Sequence, residues 1–89
     1  MAVMVKMTLK TDKATYLGMH GQLLPAAKGA GLLFHSGREK DGGIGIVDFW
    51  PSAEAFESFR DGPMAEGAKA MGMELPDDIT IVPVLTADG

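Results

Sequence analysis

The chain has 89 residues, and its composition is that of an ordinary folded protein, 46% hydrophobic and 22% charged. A chain of this length makes a single domain, residues 1–89, because two parts would each be too small to bury a core. Eight basic and twelve acidic residues give a net charge of −4, which argues against nucleic acid and anionic membrane surfaces as partners. Cysteine is absent, so the sequence predicts neither a disulfide nor a thiolate metal site. The N-terminal segment lacks the features of a signal peptide, and no apolar run reaches the roughly 18 residues of a membrane span, so we expect a cytoplasmic protein.

The first part of the chain predicts a strand followed by a helix. Residues 2–9 alternate in the manner of a strand. Thr11 or Asp12 can cap a helix after it, and that helix has an apolar side at helical spacing. The side consists of Tyr16, His20, Leu23, Leu24 and Ala27. Two glycines and Pro25 within the same segment predict a helix that is short or irregular towards its end.

The middle of the chain predicts a β-hairpin. The segments LLFHS and IGIVDFW are rich in β-branched and aromatic residues and flank a polar, glycine-rich stretch. If Asp41-Gly42 forms a two-residue type I′ turn, His35 lies opposite Asp48, and Trp50 lies on the same face as both. A longer loop would shift this register and place a different residue opposite His35.

The last part of the chain predicts an interrupted helix and an edge strand. Ser52 is placed to cap the helix, residues 61–63 (Asp-Gly-Pro) interrupt it, and it should end near Gly72. Residues 79–85 (ITIVPVL) read as a strand, and Pro83 within them favours an edge position or a bulge.

The predicted order is therefore β-α-β-β-α-β, an α+β fold of the ferredoxin-like type with an antiparallel sheet. In this arrangement two helices cover one face of the sheet and leave the other face open. An apolar open face on so small a domain calls for a partner, and we expect a homodimer.

The segment from GLLFHSG to IVDFWPSAEAFESF resembles the dimeric α/β-barrel superfamily, and within it proteins of the antibiotic-biosynthesis-monooxygenase type. In these proteins a central strand ends in Trp and leads into a helix that opens with Ser and Glu, followed by Ala-Phe; the matching residues are Trp50, Ser52, Glu54, Ala55 and Phe56. The resemblance implies that two open sheet faces pack into a barrel with one pocket per subunit. It also implies activities such as cofactor-independent oxidation of polyketides, haem degradation or isomerisation of aromatic compounds.

Five residues are candidates for the site. We predict His35 and Asp48 as catalytic, because a carboxylate opposite an imidazole fixes its tautomer and raises its basicity for taking a proton from a phenol or enol. The alternative is a structural cross-strand pair. We predict Trp50, Tyr16 and His20 as substrate-binding, through ring stacking and through a hydroxyl and an imidazole at the pocket rim. The alternative for these three is packing in the core.

Three functions follow from these residues. The first is a small-molecule enzyme that oxidises an aromatic or polyketide-like substrate without a cofactor or metal. The second is a non-catalytic ligand-binding or assembly module, since two histidines and one tyrosine are a small polar inventory. The third is a haem-binding protein; here residues 59–61 (Phe-Arg-Asp) occupy the place of the histidine that ligates iron in haem-degrading members, which leaves His20 as the histidine on a helix. The motifs GxSxG and HExxH of covalent hydrolases and zinc proteases are absent.

Overall fold

A computed structural model describes residues 1–87, and it confirms the predicted α+β fold of the ferredoxin-like type. The strands are β1 (Val3–Leu9), β2 (Phe34–Lys40), β3 (Gly43–Trp50) and β4 (Thr80–Pro83). The helices are α1 (Lys13–Gly29), α2 (Ala53–Phe59) and α3 (Ala65–Ala70). The four strands form one antiparallel sheet in the order β2-β3-β1-β4. Within residues 1–87, no helix is both long and apolar enough to cross a membrane.

The hairpin of β2 and β3 has the predicted register but not the predicted turn. His35 pairs with Asp48. A type I′ turn needs a positive φ at both loop residues. Gly42 has a φ of 83°, whereas Asp41 does not have a positive φ, because only glycines do among the described residues. The turn type was therefore wrong. The positive φ values of this turn fall on Gly42 and on Gly43, whose φ is 154°. Glycine adopts such conformations readily because it has no Cβ atom.

Helix α1 is longer and more regular than its sequence predicts. The Asp12 side chain caps it by accepting a hydrogen bond from the Thr15 amide at 2.7 Å, and the helix then runs for 17 residues. Pro25 lies inside it without ending it, so the predicted short or irregular helix was wrong. Met19 and Ala27 are buried on either side of Pro25, and this burial stabilises the helix where its local sequence does not.

The second helical segment follows the prediction more closely. Ser52 caps α2 by accepting a hydrogen bond from the Ala55 amide at 3.1 Å. The interruption at residues 61–63 is a π-helical turn, Arg60–Met64, which leads directly into α3. The chain leaves α3 through Gly72, which has a φ of 68°.

The two faces of the sheet differ in cover. The helices lie on one face and enclose an apolar core with it. That core contains Val3, Val5, Met7, Ala27, Ile44, Ile46, Trp50, Phe56, Phe59 and Met64. On the other face, here called the open face, one apolar row crosses all four strands through Phe34, Phe49, Met4 and Val82. Phe34 is 46% exposed and Val82 is 43% exposed. Strand β4, with Pro83, lies at the edge of the sheet as predicted.

Candidate active site

A small cavity of about 80 Å³ lies between α1, the second helical segment and the covered face of the sheet. Most of the residues around it are apolar. These are Met7, Leu9, Met19, Leu23, Leu24, Ala27, Leu32, Ile46, Phe56, Phe59 and Met64. The polar groups on its wall come from Tyr16, His20, His35 and Asp48. Polar chemistry in the cavity is therefore confined to one small group of side chains in apolar surroundings.

Three of these polar side chains form a continuous chain of hydrogen bonds, here called the Tyr16–His35–Asp48 relay. Tyr16 Oη lies 2.7 Å from His35 Nε2, and His35 Nδ1 lies 2.6 Å from Asp48 Oδ1. A carboxylate oxygen can only accept, so His35 donates from Nδ1. In the neutral imidazole this leaves Nε2 as an acceptor for the Tyr16 hydroxyl. The tautomer that the relay requires is thus set by Asp48.

Each residue of the relay is positioned by a different element. Tyr16 lies one turn into α1, His35 in β2 and Asp48 directly across from it in β3. Asp48 is 6% exposed, and its second oxygen, Oδ2, accepts a hydrogen bond from Trp50 Nε1 at 3.4 Å. The carboxylate therefore has a donor on each oxygen, which fixes its orientation towards His35.

Gly37 provides the room in which the Tyr16 ring lies. It follows His35 by two positions in β2, so both face the helices. A Cβ atom added to Gly37 would stand 2.7 Å from Tyr16 Cζ and 3.0 Å from Cε2, far inside van der Waals contact. Any larger residue at position 37 would push the phenol away from His35.

The protonation of Tyr16 suits its role as a donor to His35. Burial of the phenol raises its pKa above the ordinary value, and the negative charge of Asp48 raises the pKa further. Both causes act against the tyrosinate. The hydroxyl consequently carries its proton at neutral pH and donates it to His35 Nε2.

His20 extends the polar group beyond the relay. It lies one helical turn after Tyr16, and its ring centroid is 5.2 Å from that of His35 and 5.8 Å from that of Tyr16. Tyr16 and His20 on the helix and His35 and Asp48 on the strands thus line the same cavity, as one polar group.

Trp50 has a different position from the one that a stacking role requires. It shares the sheet face of His35 and Asp48 as predicted, but it is fully buried and is not among the residues that line the cavity. Its ring packs against Phe56 and Phe59, at centroid distances of 5.8 and 5.3 Å. Its contact with the site is the hydrogen bond to Asp48.

Sequence reasoning placed four of these residues at one site but missed the contact that joins them. The bond between Tyr16 and His35 spans 19 positions and depends on how α1 lies on the sheet. One signal in the sequence points to it. Gly37 interrupts the covered face of β2 with an empty position beside His35, which a ring from the overlying helix can fill.

The cavity does not fit a metal or a haem group as it stands. Among residues 1–87, no group of three or more His, Cys, Asp or Glu side chains is placed to hold a metal ion. Both ring nitrogens of His35 are engaged, by Tyr16 and Asp48. The volume of about 80 Å³ also falls well below the roughly 300–1,000 Å³ of sites for large organic ligands.

Comparison with known proteins supports the fold. The sequence matches no family model and no curated protein sequence. Among solved structures, the chain is similar to a protein from Chloroflexus aurantiacus assigned as an antibiotic biosynthesis monooxygenase, with 18% identity, a TM-score of 0.63 and coverage of 98% of this chain and 97% of that one. It is also similar to a variant of SnoaB, a cofactor-independent oxygenase from Streptomyces nogalater, with 14% identity, a TM-score of 0.64 and coverage of 97% and 93%.

A third similar structure is a variant of MhuD with two manganese protoporphyrin IX molecules per active site, at 17% identity and a TM-score of 0.55, covering 100% of this chain and 99% of that one. The protein therefore shares its ferredoxin-like fold with these solved structures. At these identities the likeness concerns the fold.

Proposed function

We propose that this protein is a small-molecule enzyme in which the Tyr16–His35–Asp48 relay takes a proton from an aromatic or polyketide-like substrate, so that dioxygen oxidises the substrate without a cofactor. The observation that carries the proposal is the relay itself, an unbroken chain of short hydrogen bonds on the wall of an apolar cavity. Proton abstraction from a phenol or enol needs a base that is held in a fixed orientation. Asp48 holds His35 in this way through its hydrogen bond to Nδ1.

The proton moves along the relay in one direction. The substrate hydroxyl gives its proton to Tyr16 Oη as the Tyr16 proton passes to His35 Nε2, and Asp48 stabilises the imidazolium that results. The ionised substrate is electron-rich. Dioxygen then converts an activated CH₂ group of the substrate to a carbonyl, with one oxygen atom in the product and the other in water, and the substrate supplies all the electrons.

The remaining polar residues support this step. His20 lies close enough to both rings of the relay to contact the substrate next to its ionising hydroxyl. Trp50 contributes through Asp48, whose orientation it holds. The apolar wall contacts the ring system of the substrate, and the similar fold of a cofactor-independent oxygenase supports the reaction class.

We also propose that two copies pair through their open faces. The apolar row of Phe34, Phe49, Met4 and Val82 leaves large side chains exposed on a small domain, and burying them against a second copy would stabilise both. Sedimentation velocity tests this proposal. A monomer at all concentrations would contradict it, and Phe34→Lys should shift a dimer towards the monomer.

Oxygen uptake tests the enzymatic proposal, with dithranol as a probe that carries phenolic hydroxyls beside an activated CH₂ group. We expect uptake above the spontaneous rate, lost in His35→Ala, while the melting temperature stays close to that of the wild type. Glu66→Gln, an exposed change in α3, is the control and should leave uptake unchanged. Absence of enzyme-dependent uptake, or equal uptake by His35→Ala, would refute the proposal.

One observation favours a second candidate, a non-catalytic binding or assembly module. The cavity volume of about 80 Å³ is small for a polyketide-like ligand, so the surrounding side chains must move for such a substrate to enter. If His35→Ala destabilises the fold strongly and the probe is not oxidised, the relay is a structural network and this candidate replaces the enzyme.

A further inference from the structure

The open face of the sheet carries charge of one sign. Its charged side chains are those of Lys6 in β1 and of Arg38 and Lys40 in β2. They lie on this face because successive side chains of a strand point to opposite faces of the sheet. The strand positions on this face include no Asp or Glu, although acidic residues outnumber basic ones by twelve to eight in the whole chain. Three cationic side chains therefore lie on one face of a protein whose net charge is negative.

These cations surround a second depression, of about 170 Å³, which is separate from the relay because it lies on the opposite side of the sheet. Gly45 forms part of its floor. A Cβ atom there would lie 3.3 Å from Lys40 Cδ and 3.5 Å from Arg38 Nε, so both side chains lie over the glycine. Thr8 and Thr80 also line the depression, and Lys40 Nζ donates to Thr8 Oγ1 at 3.1 Å.

No carboxylate among residues 1–87 forms an ion pair with Lys6, Arg38 or Lys40. Asp78 borders the depression; its carboxylate accepts a hydrogen bond from the Thr8 amide at 2.9 Å, which lowers its pKa, and the charge of Lys40 lowers that pKa further. One acidic group against three cations leaves an excess of positive charge. Arg38 and Lys40 lie towards the C-terminal end of β2, whereas the apolar row crosses its N-terminal end, so the depression lies beside that row.

We propose that this depression binds a tetrahedral oxyanion, namely inorganic phosphate or the phosphate of a small phosphomonoester. The guanidinium of Arg38 offers the planar donor fork that grips two oxygens of such an anion, and the two lysines add point charges. The threonine hydroxyls donate to the remaining oxygens. A volume of about 170 Å³ accommodates one such group.

Titration of inorganic phosphate into ¹⁵N-labelled protein, at constant ionic strength, tests the site by amide chemical shifts. We expect saturable shifts concentrated in β1 and β2 around the three cations, with a Kd of about 1 mM or tighter. Arg38→Gln should weaken binding about tenfold, because it removes a charge-assisted contact. Lys40→Gln is the second variant, in case the first perturbs the sheet.

Lys13→Gln is the matched control, since it removes the same charge from an exposed position on α1. It should leave the Kd within twofold of the wild type. Glycerol 3-phosphate in place of phosphate distinguishes a phosphomonoester from the free ion, by tighter or weaker binding at the same amides. Shifts that do not saturate, or an equal loss in Lys13→Gln, would mean that phosphate only screens surface charge, and the proposal would fail. Oxygen uptake by the relay is measured separately, so each proposal can fail without the other.

Discussion

Gly37→Ala is the sharpest test of the relay, because it changes no residue of the relay. The backbone of Gly37 has no positive φ, so alanine is compatible with the strand. The added methyl group, however, would stand 2.7 Å from Tyr16 Cζ, where carbon atoms normally keep about 3.5–4.0 Å. The ring must therefore move by about 1 Å, which lengthens the 2.7 Å bond to His35 beyond hydrogen-bonding distance.

The free energy of unfolding should fall by up to about 2.5 kcal/mol. Overpacking of this kind costs about 1–3 kcal/mol, and replacing a strand glycine by alanine returns about 0.5–1 kcal/mol. Urea unfolding followed by circular dichroism, at one protein concentration, measures the difference. Tyr16 is the single tyrosine of the chain, so the absorbance of ionised tyrosine reports on it alone. In Gly37→Ala the pKa of Tyr16 should fall back towards its ordinary value as the ring leaves its half-buried position.

Gly18→Ala is the control for this experiment. Apart from its chain neighbours and the adjacent helix backbone, no atom lies within 4 Å of a Cβ added at Gly18 in α1, so alanine there should stabilise the protein by up to about 1 kcal/mol. If Gly37→Ala is stabilising as well, and the pKa of Tyr16 does not change, then Tyr16 does not lie over Gly37 and the relay as described is wrong.

Three further predictions follow from the same contacts. The pKa of Tyr16 should be higher in the native protein than in the urea-unfolded protein, and Asp48→Asn should lower the native pKa because it removes the carboxylate charge. Equal pKa values in the native, unfolded and Asp48→Asn samples would contradict this. Since the native pKa of Tyr16 is raised above about 10, the wild type should lose stability as the pH rises from about 10 through that native pKa, whereas Tyr16→Phe should lack this component in pH-dependent urea unfolding. Ser52→Ala removes the cap of α2 and should cost about 1 kcal/mol in urea unfolding without changing the Tyr16 titration; a shift in that titration would show that α2 and the relay are coupled.

Much of the fold could be predicted because its elements follow from local patterns in the sequence. Alternation along β1 and the capping residues Asp12 and Ser52 place elements through contacts between neighbours in the chain. The register that joins His35 to Asp48 followed from a two-residue loop, although the turn type was wrong. A hairpin is local enough that loop length determines which residues face each other, whatever the exact turn.

What the sequence by itself determined is the order of the elements, the edge position of Pro83 and the His35–Asp48 pair, all of which depend on short-range periodicity and turns. Tertiary packing decided the rest. It continued α1 through Pro25, because burial of neighbouring side chains outweighs one weak helix position. It also brought Tyr16 onto His35 and buried Trp50 behind Asp48, since the placement of a helix on a sheet depends on the fit of many side chains at once.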